Sequence, residues 1–200
     1  MAKYQVLAVV GGIAKESLNK KFYGAMKELA PKDFELATFD ISTLPFFTQD
    51  MENDPPEIVQ DFKELVKACD AVVFITPEYN RSFPGVLKNA LDWPSRPYGQ
   101  NLWKGKAAAV TGASTGSIGT FGAQHHLRQC LAYLDVDVMG QPELYFNASK
   151  AFDENGQIKN DAKKLVTQYW EAFEKHLEHL HIAENKKGNP KVPFQEHRAH

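Results

Sequence analysis

The stretch Ala71-Val72-Val73-Phe74-Ile75-Thr76-Pro77-Glu78-Tyr79-Asn80 decides how this chain folds. A nearly unbroken apolar run stops abruptly in a polar, sharply turning tetrapeptide. A short run of that kind reads as a strand buried on both faces. Open α/β sheets bind ligands beyond the carboxyl ends of such strands, which is where Pro77 to Asn80 falls.

Working outward, the same order of apolar strand, small or polar loop and helix occurs twice more. Tyr4 to Val10 is nearly all apolar, ends at Gly11-Gly12, and is followed by Leu18, Phe22, Ala25, Met26 and Leu29 at helical spacing. Ala107 to Thr111 is a strand leading through a Gly-Ser-Thr loop to a helix over about Gly122 to Leu134. Between these lie a strand at Phe34 to Asp40 and a helix marked by Ile58, Phe62, Leu65, Val66 and Cys69. A short helix follows, carrying Val86, Leu87, Ala90 and Leu91 and stopped by Pro94. A fifth strand starts at Val136 to Met139 and resumes near Leu144 to Phe146; a last helix covers about Asp161 to His181. Strands alternating with helices predict parallel pairing, right-handed crossovers and helices on both faces of the sheet. The expected architecture is a three-layer α/β fold whose five parallel strands take the flavodoxin-like order 2-1-3-4-5. Residues 1–182 read as one domain. Residues 183–200, with Gly188, Pro190 and Pro193 and little periodicity, read as a tail that is disordered or draped on a partner.

Composition narrows the function. With 23 basic and 25 acidic residues the formal net charge is −2, which leaves no electrostatic footprint for nucleic acid. No apolar span reaches transmembrane length, and Met1-Ala2-Lys3-Tyr4-Gln5 enters a strand pattern without the features of a secretory leader. Neither membrane nor export is expected. Two cysteines, Cys69 and Cys130, are too few for a disulfide framework; both fall in predicted helices beside core positions and read as free thiols, so the expected location is the cytoplasm. His125-His126 and His176-x2-His179-x-His181 resemble metal ligands, but no cysteine or carboxylate cluster at suitable spacing completes a set, and no metal is expected.

The loops carry the chemistry. Gly11-Gly12-Ile13-Ala14-Lys15-Glu16-Ser17-Leu18-Asn19 contains neither a G-x-x-x-x-G-K-[ST] loop nor a G-x-G-x-x-G turn. Ser17 and Asn19 instead mark a helix amino terminus, where free N–H groups and the helix dipole favour an anion. Ser17 alone reads as a helix N-cap; with Gly11-Gly12 and Lys15 beside it, a monophosphate site stands level with that reading. In the next loop the flat ring of Tyr79 offers a surface for a planar ligand, and Asn80 can bond ring heteroatoms; the plainer reading is a strand-end aromatic and a turn residue. Glu78 looks like a general base. In the third loop, Gly112, Gly116 and Gly119 around Ser114-Thr115-Gly116 remove side-chain bulk and allow close backbone approach; otherwise it is a flexible connector.

Gly11-x5-Ser17-x-Asn19, Thr76-Pro77-Glu78-Tyr79-Asn80 and Pro84-Gly85-Val86-Leu87-Lys88-Asn89-Ala90-Leu91-Asp92-Trp93 together resemble the NAD(P)H-dependent FMN reductases, a family that includes quinone, chromate and azo-dye reductases. Leu44-Pro45, Gly105-Lys106, Ser114-x-Gly116-x2-Gly119 and His126-Leu127-Arg128-Gln129 extend the resemblance across roughly Tyr4 to Phe146. It implies bound FMN, NADPH or NADH as hydride donor, a small-molecule electron acceptor and a homodimer or homotetramer. The family's phosphate loop falls on Gly12, Lys15, Ser17, Leu18 and Asn19. Pro77, Glu78, Tyr79 and Asn80 would contact the isoalloxazine and ribityl chain, and Ser114, Thr115 and Gly116 the pyrimidine edge. Many members carry Ser and Arg where this chain has Gly12 and Ala14, so a hydroxyl and a guanidinium are missing. Lys15 is the expected replacement for the charge, as a less directional partner. FMN chemistry needs no protein base to accept a hydride, which removes that role from Glu78. Arg128 is expected in a subunit salt bridge rather than at substrate. The alternative function is an electron carrier that docks on protein partners without turnover; such carriers tend to be acidic, and this chain is nearly neutral. The Leu44-Pro45-Phe46-Phe47 loop is expected to expose two large aromatics at a subunit interface.

Overall fold

The computed structural model describes residues 4–185, with side chains through residue 180. Its elements in chain order are β1 (Tyr4–Val10), α1 (Leu18–Glu28), β2 (Phe34–Thr38), α2 (Glu57–Ala68), β3 (Ala71–Ile75), α3 (Gly85–Asp92), β4 (Ala107–Ser114), α4 (Phe121–Tyr133), β5 (Asp137–Val138), β6 (Leu144–Asn147), α5 (Ala148–Ala151) and α6 (Asn160–Asn185). The strands pair in parallel in the order β2-β1-β3-β4-β5, with β6 also on β4. That is the expected order. The fifth position is split: β5 pairs with Ala107 and Ala108, whereas β6 pairs with Thr111 through Ser114. The interruption contains Gly140 and Pro142, neither of which sustains a ladder.

Period-two alternation sorts the strand residues into two cores. Val6, Ala8 and Val10 of β1, Ala71, Val73 and Ile75 of β3, and Ala107 and Ala109 of β4 pack with Phe22 and Met26 of α1 and Val166, Trp170 and Phe173 of α6. Leu7, Val9, Val72, Phe74, Ala108 and Val110 face the other way, against Phe62 and Val66 of α2, Leu87 and Leu91 of α3, and Leu127 and Leu131 of α4. Every residue of β3 is buried, as its unbroken apolar run predicts. The buried aromatics bond their polar atoms to backbone carbonyls. Trp170 Nε1 donates to Met26 O at 2.9 Å, Trp103 Nε1 to Leu91 O at 2.8 Å, and Tyr169 Oη to Val110 O at 2.9 Å. Burial pushes the Tyr169 phenol well above its usual range, so it remains the donor.

Two element ends and one exposure differ from the sequence reading. β4 runs to Ser114 rather than Thr111, because β6 pairs with its last four residues. Residues 183–185, read as the start of a tail, continue α6; the rest of that segment lies outside the described residues. Of the two loop aromatics expected on the surface only Phe46 is exposed. Phe47 packs edge-on against Trp93 at 5.1 Å, and its N–H donates to Asn89 Oδ1 at 2.8 Å.

Candidate active site

Register brings the three loops to one level. Val10 pairs with Ile75, and Ile75 with Thr111, so Gly11, Thr76 and Gly112 stand side by side where β1 and β3 end, with β4 running three residues further, to Ser114, before its loop. They are also bonded together: Gly11 N donates to Ile75 O at 2.9 Å, and Thr76 N to Thr111 O at 2.9 Å. A Cβ at Gly11 would press on Pro77, Pro84 and Leu87 at 3.2–3.3 Å; one at Gly112 would overlap the Thr76 carbonyl oxygen. Glycine at these two positions is what lets the loops sit in contact.

The loop after β1 is open. Residues 13–16 are exposed, and among the described residues no group accepts from the backbone N–H groups of residues 12–16. Ser17 is the N-cap of α1; its Oγ accepts from Asn19 N at 3.2 Å and Lys20 N at 3.4 Å, which leaves its own O–H as a donor. Leu18, half-buried, packs on the core beneath. Asn19 carries a structural bond the sequence does not announce. It is buried, and its amide clamps α1 to β4: Nδ2 donates to Ala113 O at 3.0 Å, and Oδ1 accepts from Ala113 N at 2.8 Å. That clamp ties the first loop to the strand that carries the third.

The loop after β3 is a two-residue hairpin. Tyr79 and Ser82 exchange backbone hydrogen bonds of 2.9 and 3.0 Å, with Asn80 at φ +52° and Arg81 at φ +66° between them. Arginine has none of glycine's freedom there, and its guanidinium is held by Glu78 Oε1 at 2.8 Å. The other oxygen of Glu78 accepts from Ala123 N at 3.2 Å, in the first turn of α4, whose N-cap Thr120 makes no side-chain cap bond. Glu78 is thus a helix cap delivered from a neighbouring loop, placed where the dipole favours a carboxylate. Tyr79 is left half-exposed on this fixed turn.

The third loop is laced to itself. Ser114 Oγ donates to Gly119 O at 2.8 Å and accepts from Gly116 N at 3.1 Å. Asn147 Nδ2 donates to Gly116 O at 3.1 Å, and Ser149 Oγ to Thr115 O at 3.3 Å. The three glycines have separate reasons. Gly112 faces Thr76, Gly119 has φ +60° and would bring a Cβ within 2.8 Å of Tyr145, and of the three Gly116 alone has room beside it. Close approach to a ligand is therefore available at Gly116, whereas Gly112 and Gly119 serve internal packing. Asn147 and Ser149 were missed by sequence reasoning. The available signal was Asn147 as an N-cap, since its Oδ1 accepts from Lys150 N at 3.3 Å.

The remaining polar residues lie away from the three loops or beside them in local contacts. His125 Nε2 lies 3.0 Å from Tyr145 Oη and 3.4 Å from Glu143 Oε1; burial and the bond to Glu143 push the Tyr145 phenol up to about 12. His126 Nδ1 lies 2.8 Å from Ser82 Oγ, and His176 Nε2 3.0 Å from Asp137 O. Arg128 donates through Nη1 to Met139 O at 2.8 Å, and its buried Nε and Nη2 have no hydrogen-bond partner among the described residues. Cys69, the buried C-cap residue of α2, has its thiol pushed up to about 11 by burial; Cys130 on α4 is half-buried, and both are free. Among the described residues no helix is long and apolar enough to cross a membrane.

This geometry has known counterparts. The chain is 44% identical over 171 residues to a 2-hydroxy-1,4-benzoquinone reductase of Burkholderia sp., covering 84% of this chain and 93% of that one. It is 40% identical over 173 residues to an NAD(P)H-dependent FMN reductase of Pseudomonas aeruginosa, covering 85% and 93%. The structure of the flavoenzyme NAD(P)H:(acceptor) oxidoreductase FerB of Paracoccus denitrificans superposes with a TM-score of 0.83 at 39% identity, over 88% of this chain and 98% of that one. Residues 4–151 match the family described as NADPH-dependent FMN reductase, and the chain belongs to that family.

Proposed function

We propose that this protein holds FMN across the ends of β1, β3 and β4 and carries electrons from NADH or NADPH to a small planar acceptor of the quinone class. The observation that carries this reading is the shared level of the three loops, an open donor-rich one beside two pinned ones. The residues fit the cofactor. The loop after β1 leaves N–H groups free at a helix amino terminus, and Gly12 keeps it closed around Ser17, whose Oγ a Cβ would overlap. Ser17 and the helix end would take the phosphate, with a lysine beside them supplying the charge. Tyr79 and Asn80 would meet the ring and ribityl chain, with Pro77 and Glu78 fixing the turn. Ser114, Thr115 and Gly116 would face the pyrimidine edge. Bound FMN supplies the hydride-accepting ring; the protein supplies orientation and polarity. The quinone class comes from the Burkholderia relative, which covers nearly its whole length.

The same reading places residues 1–182 in one FMN-binding unit, in a reducing compartment such as the cytoplasm, where Cys69 and Cys130 stay free thiols. It also makes the protein a homodimer or homotetramer. Tyr98 and Tyr133 are 88% and 86% exposed on the rim of a cavity of about 540 Å³ between α3 and α4, a surface suited to a second copy. Light scattering at micromolar concentration should return at least the dimer mass.

The deciding experiment is anaerobic addition of NADH or NADPH to protein loaded with FMN. Flavin absorbance should bleach and return on adding a benzoquinone. Binding of FMN without bleaching by either nucleotide would sink the reductase reading and favour the carrier.

A further inference from the structure

Lys20, which the sequence does not single out, stands third in α1 after the Ser17 cap. Its side chain turns back over the loop after β1, and Nζ donates to Ile13 O at 3.2 Å. Lysine in a first turn opposes the helix dipole, and α1 has no acidic residue there to offset it, although α2 has Glu57 and α6 has Asp161. Among the described residues no carboxylate pairs with Lys20. The helix therefore carries near its positive end a cation with no carboxylate partner among the described residues, bonded to a loop whose backbone N–H groups take no acceptor among them.

Its two neighbours are placed differently. Lys21 is committed elsewhere, with Nζ 4.2 Å from the centre of the Phe152 ring. Lys15 is exposed within the loop and makes no hydrogen bond to it among the described residues. Only Lys20 is folded onto the loop. We infer that Lys20, rather than Lys15, supplies the cation for the FMN phosphate in this chain, in place of the arginine that other members carry where Ala14 stands. This rests on the proposed FMN site. On arrival of the phosphate the ammonium exchanges a neutral carbonyl for an anionic oxygen, a stronger acceptor within the same reach.

The test is fluorescence titration of apoprotein with FMN and with riboflavin, at low and high salt, for the wild type, Lys20→Gln, Lys20→Arg and Lys15→Gln. Lys20→Gln should weaken FMN about three- to tenfold at low salt, lose most of the salt dependence, and leave riboflavin unchanged. Lys20→Arg should retain FMN, and Lys15→Gln should cost less than about twofold. An unchanged FMN constant in Lys20→Gln, an equal loss for both flavins, or a larger loss in Lys15→Gln overturns the assignment while leaving the FMN site standing. Failure of the wild type to prefer FMN over riboflavin overturns the assignment and the phosphate site together.

Discussion

The ends of β1 and β3 lie side by side and are built on opposite terms. After β1, the N–H groups of residues 12–16 have no acceptor among the described residues, and residues 13–16 are exposed. After β3, the turn is closed by the Tyr79–Ser82 bonds and its Glu78 is spent on Arg81 and on α4. Unsatisfied donors are tolerated where water or an anion can reach them, and a hydrogen-bonded turn is needed where a ring must be presented in one orientation. The loop after β4 belongs with the pinned kind. One loop is thus shaped to gain partners on binding, and two are shaped to stay as they are.

If that contrast holds, the pinned side should tolerate substitution least. Gly112→Ala places a Cβ on the Thr76 carbonyl oxygen, a backbone atom that moves only if β3 and β4 separate at the site. The expected cost is about 3 kcal/mol or more, read as a fall of roughly 6–12 °C in Tm. Gly116→Ala meets nothing closer than Ser114 Oγ at 3.5 Å and should change stability by less than about 0.5 kcal/mol. Equal effects would show that the third loop is not held by this contact. Glu78→Ala is next. It strips the first turn of α4 of its acceptor and should cost about 1–2 kcal/mol in denaturant unfolding. Arg81→Ala removes only the exposed half of the pair and should cost less than about 0.5 kcal/mol. If the two variants were equally destabilised, Glu78 would be acting through the ion pair and not through the helix.

The same contrast explains what the sequence revealed. β1, α2 and β3 were legible because their apolar period is local and unbroken, and Ser17 because a cap announces itself beside its helix. Gly112-Ala113-Ser114 read as loop because small residues carry no strand signal; they become strand through β6, some thirty positions later in the chain. Asn19 was legible as a polar residue at a helix start, but its partner Ala113 lies 94 positions away, and no local pattern encodes such a clamp. Phe47 read as exposed for the same reason, since Asn89 and Trp93 cover it from a distant helix. Local chemistry therefore pointed to the candidate loops, and long-range packing decided which of their polar groups are spent within the protein.

The smallest expected effect falls on the open loop and tests its boundary. Adding a hydroxyl by Gly12→Ser puts a Cβ against the place Ser17 Oγ now holds. Ser17 must then leave the rotamer that accepts from Asn19 N and Lys20 N, giving up its N-cap at about 1 kcal/mol, or roughly 2–4 °C in the apoprotein. Ser17→Ala loses the same cap directly. The two losses are one event, so Gly12→Ser with Ser17→Ala should be no less stable than Ser17→Ala alone, a coupling a double-mutant cycle reads without any ligand. Additive losses would mean that the loop yields elsewhere and that Gly12 and Ser17 do not compete for space. Coupled losses in the apoprotein, together with FMN binding by Gly12→Ser at or above the wild-type affinity, would show that the freed Ser17 and the new hydroxyl both turn to the phosphate. In that case the N-cap bond is a resting state that the loop gives up when an anion arrives.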